Sequence, residues 1–312
     1  MMVGHTFRKV VPVCVAVIIA VIVAACPDNR GTGKLPSPPM MISRGIITAS
    51  HNRYIETGSS SPFERFSLMG IFARYDVDRS ATVESLLGNQ PADIDLGLDR
   101  CTMPAQVLDE EVHLQESRLK TGIELLDVGD LTISFDKTAR PVPTRTFPDL
   151  LKVIVGVIYT ADETQEVLFR PGETYSLRAS GTDEVAPFKV ALDAPEDLGE
   201  IKVEGLTPGE QVPLIRRGED IQLVWDGAEF GDEVVVSLSW ISMGSPWSMT
   251  CRMRDDGQFV IPAIYTAGLP DPLTCEDEEL TMTRVRQVAF RSDGMSSGSF
   301  RFVVSTNFPV TF

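Results

Sequence analysis

The chain is poor in the side chains on which most catalytic chemistry depends. It holds three histidines among 312 residues, and one of them, His5, lies in an amino-terminal segment that reads as removable. The others, His51 and His113, have neither a second His four positions on nor a cysteine pair at ligand spacing. Only His113-x-x-Glu116 offers half of a zinc site, so both histidines read as surface or edge-strand residues. No His follows His113. Gly294-Met295-Ser296-Ser297-Gly298 therefore lacks the base a nucleophile elbow needs, and with a strand rather than a helix after it the motif reads as a hairpin turn. Gly31-Thr32-Gly33-Lys34 lacks the strand, the full spacing and the hydroxyl residue of a phosphate loop. Basic charge is also short, 28 Lys and Arg against 44 Asp and Glu, which disfavours nucleic acid and anionic headgroups as ligands. Long apolar runs are missing too. The longest, residues 10–23, has fourteen positions, short of the ~20 that span a bilayer, and Pro12 sits near its start.

That short run has its own meaning. Arg8 and Lys9 precede it, and Val23-Ala24-Ala25-Cys26 ends it, in the order of a secretory signal with small residues before the cut. The aliphatic residue three places before a cysteine that directly follows the small pair resembles the bacterial lipobox. The resemblance implies removal of residues 1–25 and a thioether-linked diacylglyceryl group on Cys26, making the membrane a partner through a lipid anchor. Cleaved secretion and an uncleaved anchor are the other readings. Each buried methylene contributes about 0.8 kcal/mol, so two or three chains anchor where one would not. Residues 26–45, with Pro27, Pro36, Pro38 and Pro39 among Asn, Gly, Lys and Ser, read as a disordered tether. Loss of Arg8 and Lys9 leaves 26 basic side chains against 44 acidic ones, a formal charge of −18.

Cysteine usage fits an oxidising compartment. Cys14 leaves with the signal and Cys26 carries lipid, so Cys101, Cys251 and Cys275 remain. Cys251 and Cys275 flank a loop-rich stretch 24 positions long and are the expected disulfide, worth about 3.5 kcal/mol on chain-entropy grounds. Cys101 is then unpaired, buried or partnered otherwise, since three thiols allow three single pairings.

The body reads as all-β, in two antiparallel sandwich domains, 46–198 and 199–312. Val234, Val236, Leu238 and Trp240 alternate with smaller or polar residues, as do Ile221, Leu223 and Trp225. Met249, Cys251 and Met253 share one face, and Asp255-Asp256-Gly257 turns the chain into Phe259-Val260-Ile261. Two long strands over 280–290 and 300–311 flank the polar turn 291–298. With a short helix at 263–269, residues 201–312 read as a seven-strand sandwich. Earlier strand candidates are 65–75, 131–135, 151–159, 167–168, 175–180 and 188–192, with one helical turn at 83–87. Pro195 and three acids interrupt the pattern at 193–200, which is the expected domain boundary.

Several segments resemble ones recurring in uncharacterised bacterial surface lipoproteins: Leu126-Asp127-Val128-Gly129-Asp130-Leu131-Thr132-Ile133, Phe169-x-Pro171-Gly172-x-Thr174-Tyr175, Ala186-Pro187-Phe188, the strand ending in Trp225, and Cys251-x-x-x-Asp255-Asp256-Gly257-x-Phe259-x-Ile261-Pro262-Ala263. The resemblance implies immunoglobulin-like or fibronectin-like sandwiches on a lipid anchor, and it carries no activity. Trp225 precedes both Cys251 and Cys275, so the Cys…Trp…Cys order of a true immunoglobulin domain is absent.

Three further features bear on ligands. Asp76 and Asp78 start like a calcium loop, but Ala81 replaces the required Gly and Leu87 the bidentate Glu. A looser calcium site drawing on Asp93, Asp95 or Asp99 is the weak remainder, and a solvated loop is the expectation. Glu276-Asp277-Glu278-Glu279 reads as a solvated acidic run. Trp247, in Gly244-Ser245-Pro246-Trp247-Ser248, is expected in a loop, packed on a sheet edge or offered to a protein or carbohydrate ligand. The expected function is a non-catalytic binding or structural module of the bacterial cell envelope, at the outer membrane or cell surface, with no cofactor. A secreted metal- or carboxylate-dependent hydrolase is the alternative.

Overall fold

The computed structural model describes residues 40–58, 62–77, 96–106, 123–147, 154–162, 169–227, 231–270 and 275–312. The signal, Cys26, the tether to residue 39, the turn at 83–87, the strand candidate at 167–168, Asp78 and His113 lie outside them. Residues Pro39–Phe312 form one compact unit. The described chain is all-β apart from a single helical turn, α1 (Ala263–Thr266).

The strands are β1 (Met41–Tyr54), β2 (Phe63–Asp76), β3 (Arg100–Cys101), β4 (Ala105–Gln106), β5 (Ile123–Leu125), β6 (Leu131–Phe135), β7 (Thr138–Pro141), β8 (Thr144–Phe147), β9 (Ile154–Asp162), β10 (Thr174–Ala179) and β11 (Phe188–Asp193). After them come β12 (Lys202–Val203), β13 (Ile221–Val224), β14 (Glu233–Ser242), β15 (Ser245–Arg254), β16 (Gln258–Ile261), β17 (Cys275–Ser292) and β18 (Met295–Pro309). Among the described residues, eleven strands make one large sheet, in the order β3-β15-β14-β17-β18-β1-β2-β5-β9-β8, with β4 also on β15. A four-stranded sheet, β11-β10-β6-β7, and a three-stranded sheet, β12-β13-β16, complete the fold.

The large sheet crosses the expected boundary at 198/199. β18 pairs antiparallel with β17 and parallel with β1, Arg44 opposite Ser297 through Tyr54 opposite Asn307. Its sequence, Phe300-Arg301-Phe302-Val303-Val304, is a nearly continuous apolar run, as a strand covered on both faces requires, and residues 300–308 are buried throughout. Residues 201–312 hold seven strands, β12–β18, of which β13–β18 lie on the expected segments, but β18 is shared with the amino-terminal half rather than closing a sandwich of its own. β1 starts at Met41, inside the stretch expected as tether.

Two cores lie on one face of this sheet. Phe72, Tyr159, Leu131, Tyr175, Phe290, Phe300 and Phe302 belong to the first, under the four-stranded sheet. Leu223, Trp225, Val236, Trp240, Met249, Leu280, Met282 and Phe308 belong to the second, under the three-stranded sheet. β17 and β18 feed both, so each long strand ties the two cores together. Gly45 faces Gly298 across β1 and β18. A Cβ on Gly298 would stand 2.6 Å from the Phe290 ring, and one on Gly45 2.7 Å from Phe72. The missing side chains are what let two aromatic rings cover the strands here.

Candidate functional site

Between the cores, the same sheet face turns polar. β17 places Arg284 and Arg286 two residues apart, hence on one side of the strand. Arg284 is 1 % exposed, and all five of its N–H groups are used. Nε donates to Asp255 Oδ2 (2.5 Å) and Nη2 to Asp255 Oδ1 (3.0 Å) and the Asp226 carbonyl (2.5 Å). Nη1 donates to the Glu196 and Asp197 carbonyls at 2.8 and 2.7 Å. Asp255 Oδ1 also accepts the Trp225 indole N–H at 2.7 Å. Arg286 makes a two-pronged pair with buried Asp232, 2.7 Å on each side, and reaches the Asp193 and Ala194 carbonyls. Its hydrogen bonds to Asp232 push its pKa further up, against the opposing effect of burial. The segment 193–197, which composition marks as a boundary, is therefore a strap held across the polar belt by two arginines. A guanidinium suits this task because its rigid fork of donors can meet a carboxylate and several carbonyls at once.

His51, on β1, borders the same belt. Contrary to expectation it is buried (5 % exposed), stacked on Phe169 with ring centroids 4.3 Å apart. Its Nε2 lies 3.6 Å from Glu64 and its Nδ1 3.9 Å from Asp197 of the strap. In the first lobe, the Tyr159 hydroxyl accepts the Val128 N–H at 2.9 Å and donates toward Asp127 Oδ1 (2.7 Å), with the Gly129 carbonyl at 2.9 Å. Burial, helped by the Asp127 carboxylate, pushes this phenol far above its ordinary range. These groups fix a turn and its neighbouring strand.

The disulfide is not the expected one. Cys251 bonds to Cys101, 150 residues away in sequence, where β3 pairs with β15 and sets the two residues directly opposite each other. Cys275 begins β17 opposite Ser242, so strand register rather than chain proximity chose the partner. Trp247 is likewise not in a loop. It lies in β15 opposite Trp240, the rings stacked with centroids 6.5 Å apart, and Phe312 meets Trp240 edge-on at 5.5 Å. The turn before it is tight, Met243 and Gly244 both adopting positive φ, which brings the expected loop residues into the ladder.

Asp76 is the last residue of β2 and half-buried. Asp99 pairs with Arg254 at 3.4 Å. Among the described residues no group of three His, Cys, Asp or Glu side chains could hold a metal ion. The acidic run enters β17 where the pairing with β14 slips between Ser239 and Ile241, and Asp277 has φ 54°, so these residues form a bulge. Burial raises the Glu279 pKa above its ordinary value, opposed by a hydrogen bond from Thr281. Gly294 has positive φ in the tight β17–β18 turn, and Ser296 Oγ accepts the Ser43 N–H at 3.2 Å. One shallow groove of about 370 Å³ opens where β1, β2 and β18 meet, lined by Ile42, Arg44, Tyr75, Val77 and residues 297–299.

No protein family and no curated protein matches the chain. Among solved structures, the yeast delta-COP-I mu-homology domain aligns over 84 % of this chain and 95 % of its own, with 11 % identity and a TM-score of 0.19, a likeness too slight to carry an argument. No helix among the described residues is long and apolar enough to cross a membrane.

Proposed function

We propose that the protein is a lipid-anchored module of the bacterial cell envelope, at the outer membrane or cell surface, held by acyl chains on Cys26 and serving a non-catalytic structural or binding role. One observation carries the non-catalytic part: the ion pairs of the polar belt and the hydrogen bonds of the turn before β6 are committed to holding backbone. Arg284, Asp255, Arg286 and Asp232 fasten a strap, and Asp127 with Tyr159 fastens a turn. A rigid sheet frame offering its ends and loops to partners suits a scaffold or adhesin-like role. Each small sheet, with the part of the large sheet it covers, is read here as an immunoglobulin-like sandwich fused to its neighbour through β17 and β18. A protein or carbohydrate ligand would meet the second lobe at the end bearing Trp247, Trp240 and Phe312.

The anchor is tested by metabolic palmitate labelling of cells expressing the full chain. The wild type takes up label and partitions with membranes, and Cys26→Ser does neither. Label retained by Cys26→Ser, or a native protein that keeps residues 1–25 in a detergent-free cytosolic extract, overturns the proposal.

A further inference from the structure

The corner of the large sheet where β1 begins is apolar and open to solvent. Met40, Met41 and Val77 are 71, 47 and 38 % exposed. Met41 pairs with Asp76, and the Val77 N–H donates to the Met40 carbonyl at 3.0 Å, so the three residues share one corner of the sheet, Met40 and Val77 on one face and Met41 on the other. Ile42 and Tyr75 line the groove beside it, with Arg44 in its wall.

What lies against this rim follows from chain length, given the lipoprotein reading on which this inference rests. Thirteen residues, 27–39, separate Cys26 from Met40, and such a stretch cannot exceed roughly 45 Å. The far end of the strands carries the most exposed methionine among the described residues, Met243, at the β14–β15 turn (89 %), on the order of 50 Å further along the sheet. An acyl group on Cys26 therefore confines the Met40 rim within tether reach of the bilayer and ties the Met243 end to it far more loosely.

We propose that Met40, Met41 and Val77 form a membrane-contact surface, seated in the headgroup–acyl boundary of the bilayer that holds the Cys26 lipid. Three apolar side chains are too few to bind a membrane alone, but a short tether makes the second contact intramolecular and raises its effective concentration. Lipid charge also matters. Asp76 sits in the rim and the mature chain carries a formal −18, so anionic headgroups oppose the contact and a zwitterionic surface fits it.

Hydroxyl-radical footprinting of methionine tests this, because the exposed methionines form a built-in ruler. The acylated full chain in phosphatidylcholine vesicles is compared with Cys26→Ser in buffer, after mass analysis of the amino-terminal peptide has established acylation. Met40 and Met41 should oxidise at least about fivefold more slowly in the vesicles, as residues shielded at the interface do, while Met103 and Met243 oxidise alike in both. Acylated protein whose Met40 and Met41 oxidise as fast as in Cys26→Ser overturns the contact surface and leaves the anchor standing. Met40 and Met41 already slow in soluble Cys26→Ser would mean that the tether or a second copy covers the rim, which also overturns it. A Cys26 without acyl chains overturns the anchor and this surface together.

Discussion

Single residues in this protein stabilise it by what they bond to rather than by charge alone. Arg284 is the clearest case, because its burial is tolerable only while every donor is used. Arg284→Met leaves Asp255 as an unpaired buried carboxylate and strands the Glu196, Asp197 and Asp226 carbonyls. Breaking a buried pair in this way costs about 3–5 kcal/mol, measurable by urea unfolding. Adding Asp255→Asn should cost less than the sum of the two single changes, since the pair acts as a unit. A loss under about 1 kcal/mol for Arg284→Met would mean the strap does not depend on it. Glu279 gives a pH signature. Burial raises its pKa in the folded chain above the ordinary 4.5, so the folded state holds its proton more tightly than the unfolded one. Stability therefore falls as pH rises through the window between the two values, and the loss is complete above the folded pKa. Glu279→Gln should match the wild type near pH 3.5 and raise the urea midpoint at pH 7. Equal midpoints at both pH values would show that the carboxylate is well solvated.

At the level of strands, the sequence is legible where alternation and turn residues agree. The expected run 131–135 is β6 to the residue, and β10, β11, β14, β16 and the second half of β15 lie where their apolar alternation places them. β1 hides because Ser43, Arg44, Gly45, Ser50, His51 and Asn52 interrupt its apolar residues, both of its edges being paired and both of its faces partly polar. The very short strands β3, β4 and β12, two residues each, carry no period at all. The candidate-site residues fared by the same rule. Cys251 has visible strand alternation and Trp247, behind Gly244-Ser245-Pro246, does not, and the partners of both, Cys101 and Trp240, are set by register, which local spacing does not contain. The disulfide makes this testable. Mass mapping without reduction should recover a peptide joining Cys101 to Cys251, and a peptide joining Cys251 to Cys275 would refute the β3–β15 register. Because the bond closes a separation of 150 residues, reduction should lower stability by up to about 5 kcal/mol on chain-entropy grounds.

Across the molecule, the decisive feature is the parallel pairing of β1 with β18, which joins positions some 250 residues apart and has no counterpart in local composition. Pro195 and the acids around it look like a linker, and in composition they are one. What converts them into a strap is the pair of arginines on β17 and a sheet continuous beneath both lobes. Two separate sandwiches would melt independently unless their interface were large and apolar. Here β17 places Leu280 and Met282 in one core and Phe290 in the other, while β18 places Phe308 in the first of these and Phe300 and Phe302 in the second. Neither core can open without breaking strands that the other needs, so residues 40–312 should unfold in a single step. Tryptophan reports on one lobe, whereas the tyrosines are spread more widely, Tyr265 packing against the tryptophan-bearing core and Tyr75 lying in a third cluster. Trp225 and Trp240 lie in the core under the three-stranded sheet with Trp247 packed against it, and Tyr159 and Tyr175 lie in the other. Thermal unfolding of mature-length Cys26→Ser, followed by tryptophan fluorescence, tyrosine absorbance and far-ultraviolet circular dichroism, should give coincident curves, with a calorimetric enthalpy equal to the van't Hoff value. A tryptophan transition separated by several degrees from the tyrosine one would restore the division at 198/199 and reduce β17 and β18 to a hinge.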